Sequence, residues 1–324
     1  MTLKPRKVCV SITLSALIVV GALFCGCTTT APSQGTPAPT QSIGKSKVLL
    51  ATTTSLYDTG LLDYLEPMFE EKHHVDLLIT SQGTGKAIEI AKRGDCDILA
   101  VHSPSQEEGF MAGGHGINRR CFAYNYFIIV GPADDPASIK DMKPEDAFTK
   151  LMTMGKAGTP GIAFVSRGDN SGTHYAEKSI WNSAGYNYTR DVQKSGNWYI
   201  EAGRGMGETL QLASEKQAYT LIDEGTYLAY KGNLGLFPII EQGDILLNVY
   251  SVITVYTPTQ PSDRITIANN FVNFLTSPEV QASIGEFGKE KYGKNLFIPM
   301  TGECSRFKCD CGKAADAQVP ALLT

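Results

Sequence analysis

The 324-residue sequence has no excess of basic charge and few histidines. Its 29 Lys and Arg residues are outnumbered by 33 Asp and Glu residues, which gives a formal net charge of −4. A chain without a basic field is not expected to bind nucleic acid, so any anion must be captured by local groups. The five histidines show no ligand-like spacing, and no Ser–His–Asp order can be assigned. We therefore predict no metal site and no cofactor.

Internal repeats and a complete phosphate loop are also missing. Residues 83–86 read Gly-Thr-Gly-Lys, which is similar to part of that loop, but Ala87 stands where a Ser or Thr would contact magnesium. The sequence therefore disfavours an NTPase.

The first 27 residues are typical of a lipoprotein signal. A basic start precedes an apolar run over residues 8–24, and Cys27 follows Gly26 directly. We predict cleavage behind Gly26 and lipidation of Cys27. An uncleaved membrane anchor is the alternative, because the apolar run is long for a cleaved signal. Residues 28–46 are rich in Thr, Pro, Ser, Gly and Ala, and we predict a flexible linker that leaves the rest of the chain outside the membrane.

Five cysteines follow the predicted signal, and they are Cys96, Cys121, Cys304, Cys309 and Cys311. Disulfides are permitted outside the cell. The spacing of the last three does not match the paired spacing of a zinc ribbon. We expect a disulfide within this C-terminal tail, with metal binding as the alternative.

Strand-like and helix-like segments alternate through most of the chain. The apolar runs at 47–50, 75–79 and 97–101 are separated by two segments with helical spacing of apolar residues. This order predicts a βαβαβ unit, in which parallel strands are joined by crossover helices.

Two chain crossings, near 128–132 and 249–256, predict an α/β protein of two doubly wound lobes around a ligand cleft. Lobe I would comprise residues 47–130 and 250–324, and lobe II residues 131–249. Ligands in such sheets lie beyond the carboxyl ends of the strands.

Three strand-to-helix turns have the composition of an anion site. They are residues 52–55 (Thr-Thr-Thr-Ser), 81–85 (Ser-Gln-Gly-Thr-Gly) and 166–174. Such turns direct backbone N–H groups and the positive end of a helix dipole at one spot. Arg167 adds the one cation within these turns. We predict that one oxyanion is held between the three.

Together with further stretches, these turns resemble the extracytoplasmic tungstate-binding proteins of ABC importers. The resemblance spans roughly residues 48 to 300. The matching stretches are 52–55, 83–87, 94–97, 125–132, 166–174, 205–210 and 215–221.

The resemblance implies a type II periplasmic-binding-protein fold and no catalysis. It implies a protein, expected to be monomeric, that hands tungstate or molybdate to an ABC permease in the membrane. Carried onto this chain, the ligand-binding residues supply hydroxyls, amides and one cation: they are Thr53, Thr54, Ser55, Ser81, Gly83, Thr84, Ser166, Arg167 and Thr173.

Asp169 leaves a phosphate-binding protein of an ABC importer as the alternative. Tungstate and molybdate carry no proton at neutral pH, so their site needs donors only, whereas phosphate carries a proton and benefits from a carboxylate acceptor. If Asp169 faces the ligand, phosphate is favoured. If it caps the helix at Ser171, an oxometalate is favoured. A further alternative is that Arg167 pairs with Asp169 and only closes the loop.

Two other classes of function remain open on sequence grounds. An exterior phosphoester hydrolase would need a metal cluster or an activated nucleophile with its base. A ligand-binding sensor subunit would need a partner chain to carry the signal.

Lipidation at Cys27 can be tested by mass spectrometry of the membrane fraction. We expect a mature chain that begins at a lipidated Cys27, because a tether raises the effective concentration of a receptor at its membrane partner. An intact Met1 peptide would instead support the uncleaved anchor. The Cys27→Ala variant should leave the membrane or stay uncleaved, with its anion affinity unchanged.

Overall fold

The computed structural model describes residues 45–302, 306, 307, 309, 310 and 314. The predicted signal, the lipidation site at Cys27 and nearly all of the predicted linker lie outside these residues. The compact unit that begins at Gly44 is the one described below. None of the helices in this part of the chain is both long enough and apolar enough to span a bilayer.

The N-terminal part of this unit forms the predicted parallel sheet. Strand β1 (Ser46–Thr53) pairs in parallel with β2 (Val75–Gln82) and with β3 (Ile98–Val101). Helices α2 (Leu61–His73) and α3 (Thr84–Lys92) cross between them and bury their apolar faces against the sheet. The βαβαβ prediction is confirmed.

One long strand, β4 (Gly116–Gly131), extends this sheet and also enters a second group of strands. Its first part pairs antiparallel with β9 (Leu247–Val255) and with β10 (Ile298–Pro299), and β9 pairs with β3. The return of the chain to the first sheet near 249–256 is confirmed. The strand order is β10-β4-β9-β3-β1-β2.

The last residues of β4 pair antiparallel with β7 (Thr220–Asp223) and β8 (Phe237–Ile240). Strands β5 (Phe164–Ser166) and β6 (Tyr199–Glu201) form a separate parallel pair. The predicted α/β class is confirmed. The predicted boundaries of the two lobes remain a prediction.

The remaining helices surround these strands, and four of them begin at residues whose side chains cap them. Ser277, for example, accepts the Val280 N–H and precedes a proline in the first turn, as its sequence predicts. The helices are α1 (Thr54–Asp58), α4 (Pro104–Ala112), α5 (Pro144–Lys156), α6 (Gly172–Ser183), α7 (Met206–Lys216), α8 (Glu224–Tyr230), α9 (Ser262–Leu275), α10 (Pro278–Glu286) and α11 (Lys289–Tyr292).

An aromatic core fixes helix α6, whose first turn forms part of the candidate site. Trp181 is fully buried, and its ring centroid lies 4.4 Å from that of Phe148 and 6.1 Å from that of Phe164. Burying one large apolar side chain stabilises a fold by about 1.5–3 kcal/mol. Packing around Trp181 therefore fixes the position of α6, and with it the position of the first turn at the candidate site.

A disulfide joins Cys121 in β4 to Cys309, with their Cα atoms 5.7 Å apart. The expectation of a disulfide within the tail is therefore wrong for Cys309. The reason is that Cys309 and its neighbour Phe307 pack on β4, where Phe307 contacts Tyr124 (4.9 Å between centroids). Cys304 and Cys311 lie outside the described residues.

Cys96 is a free thiol in the core beneath β1 and β3. Burial raises its pKa to about 12. A thiol with so high a pKa is unreactive at neutral pH, since the thiolate is the reactive form.

Loss of the Cys121–Cys309 disulfide should destabilise the fold. A cross-link that closes a loop of 188 residues restricts the unfolded chain, so Cys121→Ser should lower the free energy of unfolding by about 2–5 kcal/mol. Denaturant unfolding of Cys121→Ser, Cys309→Ser and the double variant measures this. The double variant should lose no more than either single one, and additive losses would contradict the pairing.

Candidate anion-binding site

Four strand-to-helix turns surround the candidate site, of which three were predicted. The Thr53 and Ser171 hydroxyls each accept a backbone N–H of the helix that they cap, α1 and α6. Gly83 begins α3, and Gly205 begins α7 in the fourth turn. Because α3, α6 and α7 have nine or more residues, their N-termini can contribute a dipole that favours an anion.

Arg167 is the central cation of this region, and its side chain is 1% exposed. Its Nη2 donates to Asp169 Oδ2 at 2.6 Å and to Thr54 Oγ1 at 3.2 Å. Its Nε and Nη1 are buried and have no partner. Buried donors without acceptors cost about 1–3 kcal/mol each, so the guanidinium is placed to receive a further acceptor.

The first turn of α6 contributes two more polar groups. Thr84 Oγ1 accepts the Gly172 N–H at 2.8 Å, which ties this turn to the start of α3. Thr173 Oγ1, like the two Arg167 nitrogens, is buried without a partner. The predicted residues Thr84, Arg167 and Thr173 are therefore all buried at these turns, and two of them have unsatisfied polar atoms.

A cavity of about 240 Å³ opens beside Arg167; we call it the anion cavity. Three predicted residues line it, namely Thr54, Gly83 and Arg167. Its other lining residues are Gln82, Lys86, Asp169, Gly203, Arg204, Gly205 and Glu208.

Lys86 and Arg204 also line the anion cavity, whereas Arg167 as the one cation that contacts the ligand stays a prediction. Both side chains are exposed, whereas Arg167 is buried. Arg204 lies between two glycines at the start of α7. Small residues before a helix are also the pattern that predicted the other three turns. That signal was available in the sequence for Arg204.

Ser55 is buried and lies in a second polar group behind Thr54. Its Oγ is 2.7 Å from His102 Nε2 and 3.2 Å from Thr53 Oγ1. Burial lowers the pKa of His102 to about 4, although its hydrogen bond to Asn248 acts in the opposite direction. His102 is therefore neutral at pH 7, and sequence reasoning did not connect it to the site.

Ser166 directs its hydroxyl away from the anion cavity. Its Oγ donates to Glu177 Oε2 at 2.5 Å and accepts the Gly168 N–H at 3.2 Å. Glu177 also accepts from Trp181 Nε1 at 3.0 Å and from the Tyr199 hydroxyl at 2.5 Å. In this arrangement Ser166 shapes the loop that carries Arg167.

Asp169 uses both of its carboxylate oxygens within the loop. Oδ1 accepts the N–H of Ser171, the residue that caps α6, at 3.1 Å, and Oδ2 accepts from Arg167. The same carboxylate lines the anion cavity. A Cβ on Gly83 would lie 3.0 Å from Asp169 Oδ2, so a larger residue there would press on this carboxylate.

Ser81 is separate from the rest of the predicted set. It lies half-buried in β2, in register with Thr52 of β1. Within the part of the chain that the structure describes, no hydrogen bond joins Ser81 to the other predicted site residues. That part also contains no group of three or more His, Cys, Asp or Glu residues placed to hold a metal ion.

Comparison with known proteins places this fold and site in a family. Residues 28–279 match the family model described as a PBP superfamily domain. The chain is 40% identical over 286 residues to the tungstate-binding protein TupA of Peptoclostridium acidaminophilum, covering 88% of this chain and 96% of that protein. It is 34% identical over 245 residues to TupA of Campylobacter jejuni, covering 74% and 86%.

A solved structure agrees with these sequence relatives. The tungstate ABC transporter structure from Geobacter sulfurreducens is 40% identical, with a TM-score of 0.65, and the match covers 74% of this chain and 98% of that one. The fold is that of the periplasmic binding proteins. The chain belongs to the PBP superfamily and, within it, to the family of these TupA proteins, which confirms the resemblance noted from the sequence.

Glu177 gives the candidate site a testable pH dependence. Burial raises its pKa to about 7, above the ordinary value for Glu, so its contribution to the free energy of unfolding falls as the pH rises through the window from about 4.5 to about 7. Glu177→Gln removes this titration. Relative to the wild type, the variant should gain about 1–3 kcal/mol between about pH 5 and about pH 8.

Urea unfolding at the two pH values measures the difference. The matched control is Glu215→Gln, which changes an exposed carboxylate on α7 and should track the wild type. If Glu177→Gln also keeps the wild-type pH dependence, Glu177 is not the titrating group.

Proposed function

We propose that this protein captures tungstate or molybdate in the anion cavity and delivers it to an ABC permease, without catalysing a reaction. The observation that carries the proposal is the guanidinium of Arg167, buried with two N–H donors unsatisfied. Thr173 Oγ1, also buried without a partner, adds a third group. The relatives named as tungstate-binding proteins support this choice of anion.

The chemistry of the site suits an anion without protons. The lining includes three cations, the Thr54 hydroxyl and backbone N–H groups, together with the carboxylates of Asp169 and Glu208. A fully deprotonated tetrahedral dianion accepts hydrogen bonds on every oxygen and so matches the donors among these groups. Hydrogen bonds between charged partners are about twice as strong as neutral ones. A dianion would therefore satisfy the buried donors of Arg167.

Phosphate is the second candidate, and Asp169 distinguishes it. A phosphate-selective site gains from a carboxylate oxygen free to accept the proton of the ligand. Here each Asp169 oxygen already accepts a donor, one from the Ser171 backbone and one from Arg167. This engagement of Asp169 weighs against phosphate, whereas the Glu208 carboxylate, which also lines the anion cavity, could accept the proton of phosphate.

The proposed transport function also predicts the location and the oligomeric state of the protein. We infer an extracytoplasmic monomer with two lobes that close over the anion, tethered through Cys27 or an uncleaved N-terminal anchor. A flexible tether would let both lobes reach the permease. The two other classes of function can be distinguished by experiment. An exterior phosphoester hydrolase would turn over a generic phosphoester, whereas a binding protein would not. A sensor subunit would co-purify with a signalling partner.

Tungstate should raise the melting temperature of the purified protein, because a ligand that binds only the folded state stabilises it by mass action. Calorimetric titration with tungstate, molybdate, sulfate and phosphate ranks the anions. We expect the two oxometalates to bind more tightly than phosphate. A shift with phosphate but none with tungstate or molybdate would favour the phosphate-binding alternative.

Arg167→Ala should weaken tungstate binding by about 2–4 kcal/mol, on the order of 30- to 1000-fold, because it removes buried charge-assisted donors. The matched control is Arg190→Ala, which removes an exposed arginine paired with its neighbour Asp191 and should leave the affinity unchanged. Unchanged affinity in a folded Arg167→Ala variant would show that Arg167 serves only to close the loop.

A further inference from the structure

Glu177, on α6, is a buried carboxylate behind the loop that carries Arg167. Its Oε2 accepts the Ser166 hydroxyl at 2.5 Å, and its Oε1 accepts from Trp181 Nε1 at 3.0 Å and from the Tyr199 hydroxyl at 2.5 Å. An indole N–H can only donate, and three donors on two oxygens suit the ionised carboxylate, which only accepts. The fold therefore holds a negative charge next to Ser166, the residue before Arg167.

Ser166 carries the effect of this charge into the loop. Because its one proton is given to Glu177, Ser166 Oγ has only lone pairs left, and one of them accepts the Gly168 N–H at 3.2 Å. Gly168 has a φ of +63°, and a Cβ on it would lie 2.7 Å from Glu201 Cβ. The turn is thus pressed against β6, and Arg167 lies between the two residues that the Ser166–Gly168 bond joins.

The segment after β6 also holds the backbone of this loop. The Ala202 N–H donates to the Ser166 carbonyl and the Gly203 N–H donates to the Arg167 carbonyl, each at 2.8 Å. Gly203 itself lines the anion cavity. Among the bonds that fix the loop, the one from Ser166 to Glu177 depends on a charge, because a neutral amide in place of the carboxylate would present a donor.

We propose that Glu177 is a positioning residue for anion binding: its negative charge strengthens the binding of tungstate or molybdate by holding the loop that presents the free donors of Arg167. The inference rests on the proposed function, because it takes Arg167 as the group that binds the anion. Electrostatics alone predicts the opposite sign, since a buried negative charge close to the site repels an anion. The two effects therefore have opposite consequences for affinity, which makes them separable by experiment.

Such positioning matters because Arg167 is held in an unfavourable state. Its Nε and Nη1 are buried without partners, so a loop released from Glu177 would gain free energy by turning these donors toward other acceptors. When only a fraction of the molecules present a competent site, the apparent affinity is reduced by that fraction. Glu177 therefore acts on the population of molecules in which the site is competent.

Glu177→Gln removes the charge and keeps the shape of the side chain. Trp181 and Tyr199 both donate to Oε1, so the oxygen of the new amide should stay on that side and its NH₂ group should face Ser166. The Ser166 hydroxyl proton then loses its acceptor, although Ser166 is only 1% exposed. A buried donor without an acceptor is costly, so the hydroxyl must turn, which weakens its bond to Gly168.

Calorimetric titration of the wild type and of Glu177→Gln with sodium tungstate at pH 8 tests the proposal. Burial raises the pKa of Glu177 to about 7, so the wild-type carboxyl is mostly ionised at that pH. We expect Glu177→Gln to bind tungstate about tenfold more weakly, which corresponds to the loss of one buried hydrogen bond. Unchanged affinity would overturn the inference, and so would tighter binding, which the removal of a negative charge alone would cause.

Two further variants separate positioning from charge. Glu107→Gln is the matched control, since Glu107 is also a buried carboxylate, bonded to the Ser103 N–H and to Arg119. It should bind tungstate as the wild type does, and an equal loss there would overturn the inference. Ser166→Ala breaks the link to the loop and keeps the Glu177 charge, so it should weaken binding as much as Glu177→Gln. The double variant should lose no more than either single one, and additive losses would contradict the shared link.

The dependence on Arg167 gives a readout that a general loss of stability would not move. In an Arg167→Ala background, neither Glu177→Gln nor Ser166→Ala should weaken binding further, because both act through the missing guanidinium. The same loss in that background would reject the positioning role. If Glu177→Gln does not fold, Ser166→Ala decides through the same comparison. Absence of tungstate binding by the wild type would reject the proposed function and this inference with it, whereas wild-type binding with unchanged affinity in the variants would reject this inference alone.

Discussion

The burial of one guanidinium is the constraint on which the candidate site depends. Arg167 is enclosed by protein, and Asp169 supplies its one carboxylate partner while two of its donors are left unsatisfied. Such an arrangement costs free energy unless the surrounding fold maintains it. The aromatic core around Trp181 holds α6, and Glu177 holds the Ser166 hydroxyl, so the loop between them has little freedom to collapse onto the arginine. The fold thereby keeps the unsatisfied donors of Arg167 in position before an anion binds.

The polar groups around the site are connected in two layers. Residues that line the anion cavity present charge and backbone amides. Two buried residues outside this lining contact serine hydroxyls: Glu177 accepts from Ser166, and His102 Nε2 lies 2.7 Å from Ser55 Oγ. Hydroxyls can donate or accept, so their direction depends on what lies behind them. The Ser166 hydroxyl is therefore fixed by Glu177 and shapes the loop that carries Arg167.

Local patterns in the sequence predicted the parts of the structure that depend on neighbouring residues. The alternation of strands and helices, the turn at Gly83 and the cap at Ser277 all follow from short-range chemistry. The glycines around Arg204 marked a turn before α7, but that this turn shares a cavity with Arg167, and that His102 contacts Ser55, depends on how distant segments pack. The same reason explains the error over Cys309, whose partner lies 188 residues earlier in the chain.

That separation has a consequence for how the protein is made. Cys121 lies in the central strand β4, yet its partner is among the last residues of the chain, so the cross-link cannot close until synthesis has passed residue 309. Any nascent or truncated chain that stops earlier carries an unpaired thiol in its central sheet. The oxidised bond therefore distinguishes molecules that contain residue 309 from products of the same message that stop before it.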